Sequence, residues 1–431
     1  MPSAYEDDVV RLVVGGKEIN IATGYEIHQS VLEQPGSFSI SLGQDKSIRD
    51  LISKDGRIFG APFAPNTPFE LYIRNSKRMT GRLDGFRVSQ SGSSATQITV
   101  IGRDTLAPVH DAKVAADISF TDATYKSLVS KVLEILGLDP SKLSTSGTAD
   151  RQLKAGVPIR ELIPARTVEE ILKEVGENQT TGSTHQSLQA KIGMRWLDFI
   201  RKQLDRAGLF LWGGGDGTII LSAPNSNLGP IYRIVRKRGQ TRNDVNVEAV
   251  DYLYDTRPMY SFAIVYGKFG KQQTGFHKSK GDSADDIMLN LGFGINRAEV
   301  IHDKFCQTTG QAQYLAQRKL AEGRRHGFQL VYTVAGHSTP AIGGGRAIWC
   351  PDTVVEVDDD ELGIKDVFWI DSVDFRMNPF KNTTIRLMRT YDVVFGTPDF
   401  EGTNGSGVVT GFNSPNLPQT AEEILEAEGE K

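Results

Sequence analysis

The chain has 431 residues, 24% of them charged and 39% hydrophobic, with a formal net charge of −4. That length accommodates about two to four domains with adequate cores, and no stretch concentrates Lys and Arg enough to act as a phosphate footprint, which argues against nucleic acid or an anionic membrane as a partner. No apolar run approaches the roughly 20 residues that span a bilayer, MPSAYEDD lacks the basic-then-apolar plan of a secretion signal, and Cys306 and Cys350 are too few to staple the chain and lack metal-ligand spacing; a soluble protein with no membrane insertion and reduced cysteines is expected.

Gly supplies 44 positions, above the usual share, which with many Ser and Thr points to frequent tight turns and a β-rich chain. From Val9 to about Asp111 the apolar pattern has period two. Val10, Leu12 and Val14 alternate, Gly15-Gly16 supplies a two-residue hairpin turn, and Ile19 and Ile21 resume the alternation. Phe38, Ile40 and Leu42 repeat it, as do Phe69, Leu71 and Ile73, and Phe86 to Val88 and Gln97 to Ile101 flank a Ser/Gly turn at Gln90 to Ala95. Such a run of short strands predicts a closed or nearly closed barrel, which removes exposed edges.

The period changes after Phe120. Tyr125, Leu128, Val129, Val132, Leu133 and Leu136 fall at helical spacing, with Thr121 and Asp122 as caps and Gly137 as the stop. A second amphipathic helix is expected from Met194 to Ala207, followed by a hairpin over 209–221 turning at Gly213 to Gly217; Val168 to Val175 reads as a short helix and Glu177 to Gln189 as a polar loop. Strands return at Ile231, at Val250 to Tyr254 and at Phe262 to Gly267. An exposed loop is expected across Gly270 to Asp286, a helix over Thr309 to Arg325, and strands at Phe328 to Val334, Thr353 to Val357, Val367 to Val373 and Thr384 to Met388. Gly402 to Pro418 is too poor in apolar groups to fold alone. It precedes a capping-box spacing, Thr420 to Glu423, that would start a short acidic helix carrying Ile424 and Leu425.

The predicted fold class is thus a mixed, β-rich α+β chain: a first barrel-like module over 1–111, a small α/β domain over 112–229, a second barrel-like module over 230–400 with an inserted loop at 270–304, and an extended tail over 401–431. The two β-modules share a pattern. Leu83-Asp84-Gly85-Phe86 with Val88, Ile98 and Val100 lines up without a gap, 287 positions away, on Ile370-Asp371-Ser372-Val373 with Phe375, Ile385 and Leu387. Three chains that each hold two similar modules would place six similar units in a ring.

No motif singles out catalysis or a cofactor. The seven histidines are scattered without a metal-binding pair. His302-Asp303 near Cys306 has the residue types of a cysteine hydrolase, but sequence adjacency is not the arrangement such sites use. Asp358 to Glu361 lacks the alternating ligands of a calcium loop and reads as a solvated hairpin tip. The basic run Arg233 to Arg238 reads as a solvated strand end, Gly213 to Gly217 as a turn without the Lys-Ser/Thr of a phosphate cradle, and the aromatics Trp212 and Tyr252 as core.

Gly102-Arg103-Asp104 to Asp111, the unit Trp196 to Ile200 through Gly208 to Leu211 with Asp216-Gly217-Thr218, and the stretch Arg324-Arg325 to Gly336 followed by Ala347-Ile348-Trp349 and Phe368 to Val373, taken in this order, resemble contractile-phage baseplate hub proteins related to the Mu tail hub and to the hub portion of type VI secretion spike proteins. The resemblance covers roughly residues 9 to 395. Departures are Pro108-Val109-His110 before Asp111, the long segment Gly270 to Lys304, and the tail after Asp399. It implies a non-enzymatic structural protein without cofactors, built as a homotrimer whose two barrel-like tube domains per chain form a pseudo-sixfold ring. Such a ring meets the tail tube or a tube-initiator protein on one face and the threefold central spike on the other. It implies a virion tail baseplate location after synthesis in host cytoplasm. Independently of the resemblance, the short acidic helix of the tail is expected to dock on another baseplate subunit through Thr420, Ile424 and Leu425. The alternatives are a tail-associated peptidoglycan hydrolase and a cell-wall-binding module.

Overall fold

The computed structural model describes residues 8–19, 22–42, 64–89, 97–120, 125–145, 188–207, 209–226, 228–239, 247–267, 280–294, 297–303, 309–342 and 344–392. Thirteen strands join in one sheet. The first seven are β1 (Val10–Val14), β2 (Lys17–Ile19), β3 (Ala22–Ser30), β4 (Ser37–Leu42), β5 (Pro68–Ile73), β6 (Ser76–Ser89) and β7 (Gln97–Asp104). The other six are β8 (Tyr232–Arg236), β9 (Val247–Tyr254), β10 (Phe328–Ala335), β11 (Thr353–Asp359), β12 (Ile364–Met377) and β13 (Lys381–Arg389). The order is β9-β10-β13-β12-β3-β4-β7-β6-β5-β1-β2, with β11 also on β12 and β8 on β11. Every pairing is antiparallel except β8 with β11. Gly15 and Gly16 both take positive φ, as the two-residue turn between β1 and β2 requires.

The chain is β-rich with few helices, as its composition indicates, but among the described residues the strands do not close into barrels. The cause is β12. Its 14 residues serve two partners along one edge: Ile364 to Ile370 pair with β11, and Ser372 to Met377 with β3. The register shift at Asp371 separates the halves, and a bulge of this kind bends a strand and re-aims its edge. One apolar core therefore runs through both strand groups, including Ile27, Phe38, Leu71 and Val100 together with Tyr332, Val355, Ile370 and Phe375.

The repeat is physical. The order β3-β4-β7-β6 recurs as β9-β10-β13-β12. Both opening strands carry a register shift at their first step, Ala22/Gly24 and Val247/Ala249, and both closing strands carry one at the matched acidic residue, Leu83/Gly85 and Ile370/Ser372. The offset of 287 holds on β6 and β12. On β7 and β13 it is 285, since Ile101 lies opposite Gly85 and Arg386 opposite Ser372. The later hairpin is shorter by two residues. A slip of two keeps every side chain on its face, and for that reason the gapless alignment still matched apolar with apolar.

Between the two groups, helix α1 (Tyr125–Ile135) and helix α2 (Trp196–Ala207) pack with the hairpin of Phe210–Gly213 and Ile219–Ser222 around a second core of Leu133, Phe120, Trp196, Ile200 and Leu211. Gly137 takes positive φ just beyond α1, as its stop requires. The expected helix at Val168 to Val175 lies outside the described residues. The loop expected to reach Gln189 ends sooner, because Leu188–Ala190 pairs with Ile118–Phe120. The segment after Phe262 also departs from expectation. Phe262–Tyr266 is the centre of a three-stranded sheet flanked by Lys280–Ala284 and Ala298–His302, with a short helix at Asp286–Asn290. Its polar composition hides two strands, and helix α3 (Thr309–Gly327) packs on Lys280–Ala284 and on the central Phe262–Tyr266. A Cβ on Gly281 would lie 2.1 Å from the Gln313 backbone nitrogen, so the missing side chain lets helix and strand touch.

Candidate functional site

The titratable side chains gather where β12 meets β3. The bulge carries Asp371 into the interior, where its Oδ1 accepts from the Ser30 hydroxyl at 3.2 Å and the Leu32 N–H at 3.3 Å, while its own carbonyl accepts from Val31 N–H at 3.0 Å. Burial pushes this carboxyl up to about 6, against the opposing charge of Arg386 and the hydrogen bonds from Leu32 and Ser30. Three residues on, Asp374 Oδ1 lies 2.6 Å from His28 Nδ1, and this hydrogen bond raises the imidazole above its ordinary value. At the rim, Arg376 donates to Glu26 at 2.9 Å and Arg386 to Glu33 at 2.8 Å. These rim pairs are solvent-exposed and contribute up to about 1 kcal/mol each. Asp104 closes the same neighbourhood. It caps Leu106 N–H at 2.9 Å and Gly36 N–H at 2.8 Å, and burial pushes it up to about 6.

The matched bulge on β6 lies in a different setting. Asp84 is exposed and held by Arg103 through two bonds of 2.7 and 2.8 Å, and Arg103 also clasps Asp111 at 2.6 and 2.9 Å. Arg103 holds Asp111 down at about 2. The Gly102-Arg103-Asp104 to Asp111 segment therefore works as a structural brace. Gly102 lets Phe38 approach, Arg103 bridges two carboxylates, and Asp104 turns the chain.

One expectation about charge is corrected in part. Asp358 and Asp359 are buried, although Asp360 and Glu361 at the tip and Arg233 and Arg238 of the basic run are exposed: β8 lies parallel to β11, which sets Arg236 against Asp359 at 3.2 Å and Lys237 against both Asp358 and, at 2.9 Å, Asp360. Asp359 also accepts from the Tyr332 hydroxyl at 2.8 Å. Opposite charges on the two adjacent segments neutralise each other. No group of His, Cys, Asp and Glu able to hold a metal occurs among the described residues. His302 stacks on Tyr266, and Cys306 lies outside the described residues. The Gly213 to Gly217 turn docks on β6, where the Thr80 hydroxyl donates to the Gly215 carbonyl at 2.9 Å. Trp212 is core, with Val31, Trp369 and Met388, whereas Tyr252 stands on the surface of β9. Thr420, Ile424 and Leu425 lie outside the described residues. The sequence signals for the seam are the Asp84/Asp371 match and the Gly102-Arg103-Asp104 segment; His28 and Asp374 carry none.

Similar proteins have this architecture. The chain shares its fold with a tail protein from Neisseria meningitidis MC58, at 22% identity over 88% of this chain and 95% of that chain with a TM-score of 0.63. It shares it also with the 43 kDa tail protein of prophage MuSo2 from Shewanella oneidensis, at 18% identity over 90% of this chain and 99% of that chain with a TM-score of 0.63. A component of the Escherichia coli type VI secretion system is similar over 90% of this chain and 79% of that chain, at 8% identity and a TM-score of 0.47. No protein-family model and no curated protein matches the chain.

Proposed function

We propose that this chain is a structural hub of a contractile tail. Three copies form a pseudo-sixfold ring that joins the sixfold tail tube, or a tube-initiator protein, to the threefold central spike. The observation that carries the reading is the recurring four-strand unit, with both of its bulges in matched places, inside one chain. The fold shared with two phage tail proteins supports it. The physical advantage is one of symmetry: a contact satisfied at one subunit of a mismatched joint fails at the next, and a doubled unit in each of three chains presents six near-equivalent surfaces on one face and three distinct ones on the other. The work is done by buried interface, with no bond chemistry and no cofactor.

In this reading 1–111 and 230–400 are barrel-like tube domains, completed in the assembly, and 112–229 is the α/β domain between them. The tail over 401–431 docks on another baseplate subunit through Thr420, Ile424 and Leu425, and the protein resides in the virion baseplate. The test is the copy number of this chain at the tube–spike junction of an imaged particle. Three copies support the proposal; another number, or another location, overturns it. Removal of residues 402–431 is expected to leave the fold intact and to weaken assembly. A zymogram on cell wall is expected to show no clearing, and clearing by well-folded protein would instead favour the peptidoglycan hydrolase.

A further inference from the structure

Edge strands that end in exposed apolar residues are a hazard that proteins normally cover. Strand β9 is such an edge: it pairs with β10 on one side only among the described residues, and Tyr252, Leu253 and Tyr254 are exposed by 46%, 46% and 37%. Its equivalent in the repeat, β3, has the same bulge and the same neighbour relation but is an interior strand, because β12 covers its other edge. Ile27, the counterpart of Tyr252, is fully buried. The complementary vacancy lies on β6. Its pairing with β5 stops at Arg82, and no described strand continues along that side past the bulge, where β12 would receive β3. Val88, the counterpart of the buried Phe375, is 47% exposed.

We infer that β9 of one copy of this chain pairs antiparallel with the outer half of β6 of the next, repeating between chains the β3–β12 seam that exists within one chain. The count of three copies rests on the hub reading above; the pairing rests on the repeat.

The register follows from the internal seam. Phe375 lies opposite Ile27 and Ser372 opposite Ser30, so Val88 falls opposite the partner's Tyr252 and Gly85 opposite the partner's Asp255. That sets two exposed apolar side chains against each other as a directly opposed pair. Arg87 then lies opposite the partner's Leu253 and diagonal to the partner's Asp251, within reach of a long side chain. The contact is heterologous, so it closes into a ring when the rotation closes and otherwise extends without limit. Each copy brings one open edge of either kind, and a closed ring leaves neither exposed.

The test is a designed cross-link. The full chain carrying Val88→Cys and Tyr252→Cys, with Cys306→Ser and Cys350→Ser, is oxidised mildly and run without reductant, beside an off-register control with Val88→Cys and Leu253→Cys. Both strand positions are exposed, so the substitutions spare the core. The mass of the reduced protein is read by light scattering, and folding by circular dichroism. The pairing predicts reductant-sensitive species of two and three chains, at least about tenfold more abundant than in the control, since Val88 and Leu253 project to opposite faces. A three-chain mass without cross-links, or equal cross-linking in the control, overturns the pairing and leaves the hub reading standing. Cross-linked species that run past three chains support the pairing and overturn the closed ring. A single-chain mass without cross-links at high protein concentration overturns both.

Discussion

Asp371→Asn should stabilise the protein at neutral pH, by an amount that its burial sets. The wild-type carboxyl is fully buried at the bulge of β12 and is pushed up from 3.8 to about 6, with desolvation as the main cause. A folded-state value above the unfolded one means that the folded protein holds a proton which the unfolded chain releases. Stability from this group is then complete below about pH 4 and is lost as pH rises through 6. The two-unit gap, at about 1.4 kcal/mol per unit, corresponds to a penalty of about 3 kcal/mol above pH 6.5. An asparagine of the same shape keeps the acceptor that serves Ser30 and Leu32 and carries no charge to desolvate. Urea unfolding of both proteins, followed by tryptophan fluorescence at several pH values between 4 and 8, should show curves that meet near pH 4 and separate by up to about 3 kcal/mol at pH 7. Asp104 titrates in the same window and cancels in the difference. A difference that does not change with pH, or a variant less stable than wild type at pH 8, would refute the assignment of this buried charge.

Three further outcomes follow from the same geometry. Arg324 is held at 2.6 Å from both Asp285 and Asp392, two buried carboxylates, so Arg324→Met should cost about 3 to 5 kcal/mol, read as a fall in the thermal midpoint. Gly281→Val has no room against α3 and should free the Phe262 to His302 unit to local proteolysis while the thirteen-stranded sheet stays protected. His28, raised by its bond to Asp374, contributes stability that is complete below pH 6.5 and lost as pH rises through its higher folded value; the stability lead of wild type over His28→Gln should therefore be larger at pH 5.5 than at pH 8.5 in the same urea assay.

Local physics made much of this chain readable before any coordinates. Alternation placed β1, β4, β5 and β7, the Gly15-Gly16 pair placed the first hairpin, and 3.6-residue spacing placed α1, α2 and α3. The internal repeat was also legible, because a bulge keeps its acidic residue and its apolar neighbours in fixed positions along one strand. The strands at Lys280 and Ala298 were not, since their burial comes from a helix and a sheet centre elsewhere in the chain and leaves no apolar alternation. The burial of Asp358 and Asp359 was hidden for a related reason: the acidic run looks solvated alone, and only a parallel pairing across more than 120 positions sets Arg236 and Lys237 against it.

The amino-acid sequence by itself determined the periods, the turns and the fact of repetition, all of which depend on neighbours a few residues apart. Tertiary structure alone decided that Asp371 is buried while its twin Asp84 is exposed, that the two strand groups share one sheet, and that among the described residues β9 and half of β6 have no strand on one side. Those outcomes depend on which strand arrives at an edge from far along the chain, and the free energy of that choice resides in long-range pairing and burial that no local pattern encodes.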